Sequence, residues 1–214
     1  MGHFITVEGG EGVGKSTFSE AFAARLRERG HQLTCTREPG GTPAAQQIRE
    51  LFLHPPSHDP LVPEAELFLI AAARAQHVAR LIRPALQADQ WVLCDRFYDS
   101  TRVYQGQLMG LSNELVEMSI AYAVGETHPE LTFVLDCDTA LAQKRLQTRA
   151  NQNQELEANR YDAAKTEFHE KLRHAFRDLQ RCFPQRVVLL DTARPLEQIL
   201  NAALKEIDRR FLGS

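Results

Sequence analysis

Residues 4–17 read FITVEGGEGVGKST, an apolar run followed by a glycine-rich loop with the pattern G-x-x-x-x-G-K-S at residues 9–16. Such a loop turns successive backbone N–H groups toward a phosphate, and the helix behind it adds positive potential. In this pattern Lys15 reaches the β- and γ-phosphates of a nucleoside triphosphate, and the Ser16 hydroxyl binds Mg²⁺. The stretch predicts a strand, a phosphate loop and a helix. It does not explain what receives the phosphate, or why the acidic Glu11 lies in an anion-binding loop.

The composition is that of an ordinary folded domain. The chain has 214 residues, a net charge of −3 and a pI of about 6.2, which gives no overall basic field for nucleic acid or a membrane surface. No apolar stretch is long enough to span a bilayer, and we expect no secretory signal sequence. The four cysteines lack C-x-x-C spacing, and we interpret them as reduced core residues of a cytoplasmic protein.

Five short apolar runs, at residues 4–7, 33–36, 91–94, 131–135 and 187–190, alternate with helical patterns. Parallel strands require crossover connections of this kind. We therefore predict an α/β fold of three layers, in which a five-stranded parallel sheet has helices on both faces. The whole chain, residues 1–214, is interpreted as a single domain. Its polar segment at about 149–161 predicts a short mobile lid.

Helical periodicity begins at the phosphate loop and ends near Gly30, where glycine suits the residue after a helix. A long helix is predicted from residue 63 to about 87, bent at Pro84 because proline lacks a backbone N–H. The other helices are predicted at about 43–53, 112–124, 139–148, 161–182 and 196–211. The apolar stripe of the long helix fits either packing on the sheet or packing on a second copy of the chain, and the pattern does not separate the two.

Arginines lie where the predicted strands end. Arg37 and Arg96 follow strands and Arg74 lies on the long helix, while Arg49 and Arg102 are further candidates to face the cleft. Ligands of an open α/β sheet gather beyond the carboxyl ends of its strands. Several arginines beside a phosphate loop therefore indicate a second anion, which would be a phosphate acceptor. A phosphate nucleophile is already ionised, so no general base is required.

Several motifs follow one another between residues 4 and 172: FITVEGGEGVGKST, TREPGGT, AAARAQH, LCDRFYDST with VYQG, and NRYD before FHEKL. In this order and spacing they closely resemble the bacterial thymidylate kinases, which are P-loop nucleoside monophosphate kinases. The resemblance implies the P-loop kinase fold with a closing lid. It also implies conversion of ATP and dTMP to ADP and dTDP in dTTP synthesis, a need for Mg²⁺, a cytoplasmic location and a homodimer.

The resemblance further implies roles for individual residues, each at the position that matches a motif. It assigns ATP binding to Gly9, Gly10, Glu11, Gly12, Val13, Gly14, Lys15, Ser16, Thr17 and Arg194. It assigns dTMP binding to Glu11, Glu38, Pro39, Arg49, Ile70, Arg74, Arg96, Thr101 and Gln105. It assigns catalysis to Lys15, Asp95, Arg96, Arg149 and Arg160, and the metal ion to Ser16 and Asp95.

Within the dTMP site, the family pattern implies that Arg49, Arg74 and Arg96 hold the phosphate, while Thr101 and Gln105 read the edge of thymine. Arg149 and Arg160 belong to the lid and would close over the γ-phosphate. Residues 192–194 would pack against adenine.

The acidic residues also receive roles from the resemblance. Glu38 and Pro39 form the turn that shapes the acceptor pocket, with Arg37 supporting it. Glu11 points away from ATP and accepts a hydrogen bond from the deoxyribose 3′-hydroxyl. The alternative for Glu11 is a solvated acid that the loop merely tolerates.

Two positions depart from the family pattern. Many relatives carry a stacking Phe four residues before the helix arginine, where this chain has Ile70. Phe68 does not replace it, since a shift of two residues turns a side chain to nearly the opposite helix face. Met109 stands where an arginine is frequent, and the sequence leaves open whether Arg102 compensates. Two alternatives therefore remain: a kinase with a different or broader pyrimidine acceptor, and a nucleotide-binding module without an acceptor.

Overall fold

In the computed structural model, which describes residues 2–151 and 166–213 except for the side chains of 149 and 150, one parallel sheet forms the centre of the chain. Its strands, in the order β2-β3-β1-β4-β5, are β1 (Phe4–Glu8), β2 (Leu33–Arg37), β3 (Trp91–Asp95), β4 (Leu131–Asp136) and β5 (Val187–Asp191). All four pairings are parallel. The predicted α/β fold with a five-stranded parallel sheet is confirmed.

Every strand extends one residue beyond its predicted apolar run, and the added residue is charged in each case: Glu8, Arg37, Asp95, Asp136 and Asp191. Hydropathy ends each predicted strand too early. The hydrogen bonds between strands use backbone groups, and they therefore form whatever the side chain is. The carboxyl ends of parallel strands lie at the same edge of a sheet. The fold thereby collects charged side chains along that edge.

The helices cover both faces of the sheet. On one face lie α1 (Lys15–Glu28) and α9 (Leu196–Ile207); on the other lie α3 (Pro63–His77), α6 (Asn113–Val124) and α8 (Thr166–Cys182). The shorter or peripheral helices are α2 (Pro43–Leu53), α4 (Arg83–Gln87), α5 (Tyr98–Thr101) and α7 (Thr139–Asn151). In the core of the first face, Phe18 and Phe22 stack with centroids 5.2 Å apart, and both meet the ring of Phe133 edge-on.

The predicted long helix is present but is distorted before Pro84 rather than at it. A π-helical turn, Val78–Ile82, joins α3 to α4. Pro84 lacks an N–H and its ring crowds the preceding turn, so the hydrogen bonding widens there. As predicted, α1 ends just before Gly30, which has φ of 87°. The predicted start of the 161–182 helix lies outside the described residues, which resume at 166.

The segment 98–108 was not predicted to be helical, yet it forms α5 and a π-helical turn, Arg102–Leu108. Tyr98, Asp99 and Thr101 are all buried, so the segment lacks the polar face that periodicity detects. Asp99 is neutralised inside the fold by Arg102, at 2.9 Å, and by Arg186, at 2.6 Å. Tertiary ion pairing therefore supports a helix that the pattern does not show.

The cysteine prediction is half right. Cys94 and Cys137 are buried free thiols, but Cys35 and Cys182 are exposed. Cys35 is exposed because β2 is an edge strand, and Cys182 is the last residue of α8. Within the part of the chain that the structure describes, no helix has the length and apolar character needed to cross a membrane.

Candidate active site

The phosphate loop connects β1 to α1 and is held close to its neighbours. Gly9, Gly12 and Gly14 have φ of 138°, 73° and 97°, values that suit glycine because it has no Cβ. A Cβ on Gly9 would lie 2.6 Å from the Leu135 carbonyl oxygen, and one on Gly12 would lie 2.4 Å from that of Ala142. The loop therefore packs on β4 and α7 through backbone contacts that only glycine allows.

The N-terminus of α1 opens onto this loop. Gly14 precedes the helix in a left-handed conformation, and no side chain caps the first turn. Ser16 and Thr17 in that turn are exposed. The orphan N–H groups of a helix N-terminus attract anions, so the loop and helix together have the geometry that phosphate binding requires.

Lys15 lies over its own loop. Its Nζ donates hydrogen bonds to the carbonyl oxygens of Gly9, at 3.0 Å, and Gly10, at 2.6 Å. Burial and the positive charge of Arg96 lower the pKa of Lys15 to about 8. Its ammonium group is thus placed within the loop, where it can contact bound phosphate groups.

Asp95 ends β3 beside the loop. Its Oδ1 is buried and accepts no hydrogen bond from the residues that the structure describes. Among those residues no group of three His, Cys, Asp or Glu side chains could hold a metal ion without other ligands. Mg²⁺ usually binds through one or two carboxylates, water and substrate phosphates. The free oxygen of Asp95 and the exposed hydroxyl of Ser16 fit that mode.

Arg96 follows Asp95 and is fixed by side chains from two other segments. Its φ is 65°, which is uncommon for a residue other than glycine. Nη2 donates to Glu11 Oε1 at 3.0 Å, and Nη1 donates to Ser100 Oγ at 3.1 Å. The guanidinium also lies 5.4 Å from the centroid of the Tyr104 ring, which is cation–π distance. Arg96 is therefore held rigidly near the phosphate loop.

The position of Glu11 answers why an acid lies in the loop. Its side chain is buried and turns to the arginine side of the cleft, where the Tyr104 hydroxyl donates to Oε1 at 2.6 Å and Arg96 pairs with the same oxygen. Burial acts to raise the pKa of Glu11, but Arg96, Lys15 and Tyr104 together lower it below its ordinary value. The alternative of a solvated surface acid is therefore wrong.

A second buried ion pair lies deeper in the cleft. Arg74 is only 2% exposed. Its Nε donates to Glu38 Oε2 at 2.8 Å and its Nη2 to Thr101 Oγ1 at 3.0 Å. Glu38 Oε1 also contacts His77 Nδ1 at 3.0 Å, and His77 Nε2 contacts Thr36 Oγ1 at 2.7 Å. Nη1 of Arg74 has no partner among the described residues, so one donor remains available to a ligand.

The side chains around this pair are partly apolar. Ile70 is buried, while Phe68 on the same helix is 56% exposed, so the prediction that Phe68 cannot replace the missing ring is confirmed. Gln105 is buried, with its Nε2 3.4 Å from Glu66 Oε2 and 4.0 Å from the sulfur of Met109. Thr101 and Gln105, the residues predicted to contact thymine, are therefore both buried.

The two remaining arginines of this region, Arg49 and Arg102, have different partners. Arg49 donates from Nη1 to the carbonyl oxygen of Pro39 at 2.9 Å, which places it beside the turn that begins at the cis Glu38–Pro39 bond. Arg102 is engaged by Asp99 and by both oxygens of Glu117, at 2.6 and 2.7 Å. Arg102 is thus occupied by protein carboxylates, and the idea that it compensates for Met109 gains no support.

On the nucleotide side, the structure adds a residue that sequence reasoning missed. Arg145 on α7 donates to the carbonyl oxygens of Val13, at 3.3 Å, and Thr192, at 2.8 Å, and so joins the phosphate loop to residues 192–194. Arg194 is exposed and lies 3.4 Å from Asp191. No motif marks Arg145; its role follows from two contacts distant in sequence. Tyr104 was also missed, although it adjoins Gln105 in VYQG.

The predicted lid lies largely outside the described residues. Arg149 belongs to α7, and Arg160 falls within the range 152–165 that the structure does not describe. Their roles remain predictions. The other predicted residues lie at the carboxyl edge of the sheet or on helices next to it, and the structure brings Glu11, Lys15 and Arg96 into one interacting group.

Comparison with known proteins identifies the family. The family model described as thymidylate kinase matches residues 7–203. The thymidylate kinase of Pseudomonas entomophila is 45% identical over 215 residues, covering 99% of each chain, and that of Desulfosudis oleivorans is 42% identical over 207 residues, covering 96% of each. The crystal structure of thymidylate kinase from Ehrlichia chaffeensis has a TM-score of 0.76 at 27% identity, covering 96% of this chain and 98% of that one. The motif order, the cleft and these matches agree, and the chain belongs to the thymidylate kinase family.

Proposed function

We propose that this chain transfers the γ-phosphoryl group of ATP to dTMP, giving ADP and dTDP. The observation that carries the proposal is Arg96, which Glu11 and Ser100 hold within the same cluster as Lys15 of the phosphate loop. An oxygen of the dTMP phosphate attacks the γ-phosphorus while the bond to the β,γ-bridging oxygen breaks. Positioning and charge neutralisation supply the catalysis, since the nucleophile is already ionised.

The donor side is assigned to the loop at residues 9–17. Its backbone N–H groups and Lys15 bind the β- and γ-phosphates. Arg145 supports the loop through the carbonyl of Val13, and residues 192–194 line the adenine. Ser16 and Asp95 would hold Mg²⁺, which neutralises charge on the β- and γ-phosphate oxygens when it is bound. Arg149 and Arg160 are proposed to reach the γ-phosphate from the lid.

The acceptor side is assigned to the buried ion pair Arg74–Glu38 and the partly buried ion pair Arg96–Glu11. Arg96 and Arg49 are proposed to contact the dTMP phosphate, and Glu11 the 3′-hydroxyl. The placement of Arg74 on that phosphate stays a prediction. Nη1 of Arg74, which has no hydrogen-bond partner among the described residues, supplies a donor for it. Thr101, Gln105 and Ile70 complete the base pocket.

The assembly is proposed to be a cytoplasmic homodimer. Large apolar side chains are exposed on neighbouring helices α2, α3 and α6: Leu51, Phe68, Met118 and Tyr122. Tyr122 is the most exposed of the four, at 87%. Exposed apolar patches of this kind mark interaction surfaces, and a twofold axis would bury the same patch on both copies. Sedimentation of Tyr122→Glu beside the unchanged protein tests this, and a monomeric parent protein would contradict it.

An acceptor panel tests the reaction. ADP formation by purified protein is followed with dTMP, dUMP, AMP, GMP and CMP, with Mg²⁺ and with EDTA. We expect turnover that depends on Mg²⁺ and is fastest with dTMP. Equal rates with all five nucleotides would contradict the assignment. A preference shared by dTMP and dUMP would favour the broader pyrimidine kinase, for which Ile70 in place of a stacking ring is the supporting observation. Calorimetric binding of ATP without dTMP would favour a non-catalytic module.

A further inference from the structure

Glu8, the last residue of β1, is a fully buried acid that the mechanism above does not use. Its Oε1 accepts hydrogen bonds from the backbone N–H groups of Phe97, at 2.8 Å, and Ser100, at 3.2 Å. Its Oε2 accepts one from the Ser100 hydroxyl at 2.6 Å. Burial and the nearby Asp99 raise the pKa of Glu8 to about 7. Burying a carboxylate is costly unless hydrogen bonds compensate for the lost water. All three donors to Glu8 come from one turn, at Phe97 and Ser100.

The turn that Glu8 holds is the one that carries Arg96. The chain leaves β3 with Arg96 at φ 65° and begins α5 at Tyr98. A left-handed arginine is unfavourable unless its surroundings fix it. The residue before α5, Phe97, has no side chain that can cap the helix. The Glu8 carboxylate, at the end of β1, accepts hydrogen bonds from the N–H groups of Phe97 and Ser100 and so fixes the turn.

Ser100 connects Glu8 to the guanidinium. A serine hydroxyl has one hydrogen to donate and two lone pairs. Its hydrogen is directed to Glu8, which leaves the lone pairs for Arg96 Nη1, at 3.1 Å. Because residue 8 accepts, the Ser100 hydroxyl hydrogen points toward Glu8. The Ser100 oxygen is then free to accept a hydrogen bond from Arg96. Glu11 fixes the other end of the same guanidinium.

We propose that Glu8 is a positioning residue for Arg96, acting through Ser100 to hold the guanidinium where the acceptor phosphate binds; this rests on the proposed function. A glutamine at position 8 would keep one oxygen for the backbone but present an N–H₂ group to a donor. Ser100 would then turn to accept from the amide and direct its hydrogen at the Arg96 cation. Arg96 would lose its alignment, although Glu8 itself never touches a substrate.

The test compares Glu8→Gln, Ser100→Ala and the double variant. One hydrogen bond to a charged group corresponds to about a tenfold change or more, so we expect kcat/KM for dTMP to fall about tenfold in each single variant. KM for ATP should stay within about twofold, because the donor loop is untouched. The double variant should lose no more than the single ones, since both act through one chain of bonds.

A matched control exists at the other end of the same strand. Glu130 accepts a hydrogen bond from the Phe4 N–H at 3.1 Å and contacts His3 at 2.8 Å. Glu130→Gln should leave both substrate constants unchanged. If Glu8→Gln does not fold, Ser100→Ala carries the test, because it removes one small hydroxyl and leaves Glu8 bonded to Phe97.

The outcomes separate the two proposals. Unchanged dTMP kinetics in Glu8→Gln or in Ser100→Ala, or equal losses for ATP and dTMP, would overturn the positioning role while leaving the kinase assignment intact. Absence of dTMP-dependent ADP formation in the unchanged protein would instead remove the proposed function itself.

Discussion

The donor and acceptor sides of the cleft are built in opposite ways. The donor side comes from one continuous loop, residues 9–17, whose binding groups are backbone N–H groups and side chains such as Ser16 that are exposed. The acceptor side comes from separate segments, and two of its arginines pair with buried carboxylates: Arg74, itself buried, with Glu38, and the partly buried Arg96 with Glu11. Substitutions on the donor side should therefore affect chemistry alone, whereas those on the acceptor side should also affect folding.

Lys15→Met is the most direct probe of the donor side. Loss of one charge that stabilises the transition state lowers rates by about 10²–10³-fold, so we expect kcat/KM for ATP to fall by about 10³-fold. Thermal denaturation should show a near-normal Tm, because in the part of the chain that the structure describes Lys15 donates hydrogen bonds to carbonyls of its own loop. The exposed Lys205 provides the control, since Lys205→Met should change neither rate nor stability. A large loss of stability in Lys15→Met would contradict the contrast.

Glu38→Ala probes the acceptor side, where we expect the fold to suffer. Removing one partner of a buried ion pair leaves an uncompensated charge and costs about 3 kcal/mol or more. Urea denaturation should therefore show a lower free energy of unfolding, together with loss of dTMP binding because Arg74 is no longer held. Glu197→Ala removes a carboxylate from an exposed ion pair with Arg25 and should change stability little. If Glu38→Ala and Glu197→Ala lowered the free energy of unfolding equally, burial of the ion pair would not decide the loss of stability.

Glu11→Gln tests whether one loop residue serves the acceptor side. The amide keeps the shape but loses the charge that pairs with Arg96. We expect the Kd for dTMP to rise about tenfold, as for loss of a charged hydrogen bond, with a smaller change for ATP. Isothermal titration of each ligand measures both constants. Equal weakening of ATP and dTMP would show that Glu11 acts through the donor loop instead.

Ile70→Phe should give the smallest effect. An aromatic ring on this face of α3 adds stacking on the base, worth about 0.5–1.5 kcal/mol, so KM for dTMP should fall about two- to tenfold. The comparison with dUMP shows whether the gain is specific to thymine. Phe68→Leu on the exposed face should leave KM unchanged. A higher KM for dTMP in Ile70→Phe would mean that the pocket is already filled by the aliphatic side chain.

Sequence patterns predict the sheet and most helices of this chain because hydrophobic periodicity reports burial. They fail at the segment 98–108, where Asp99 is buried with Arg102 and Arg186. They also stop every strand one charged residue short, at Glu8 for example. The two failures differ in origin. A strand continues through a charged residue because its ladder bonds use the backbone, whereas Asp99 is buried with the help of Arg186, a partner distant in sequence.

The candidate site also has parts that the sequence predicts and parts that it does not. The phosphate loop could be predicted from residues 9–17, because its glycines, Lys15 and Ser16 act through local geometry that a short motif encodes. The motifs also selected Arg74 and Arg96 as candidates. That Arg74 is neutralised by Glu38, that Glu11 turns to Arg96, and that Arg145 joins the loop to Thr192 follow only from the folded chain. Ion pairs and hydrogen bonds between segments depend on distance in space, and a linear pattern holds no record of that distance.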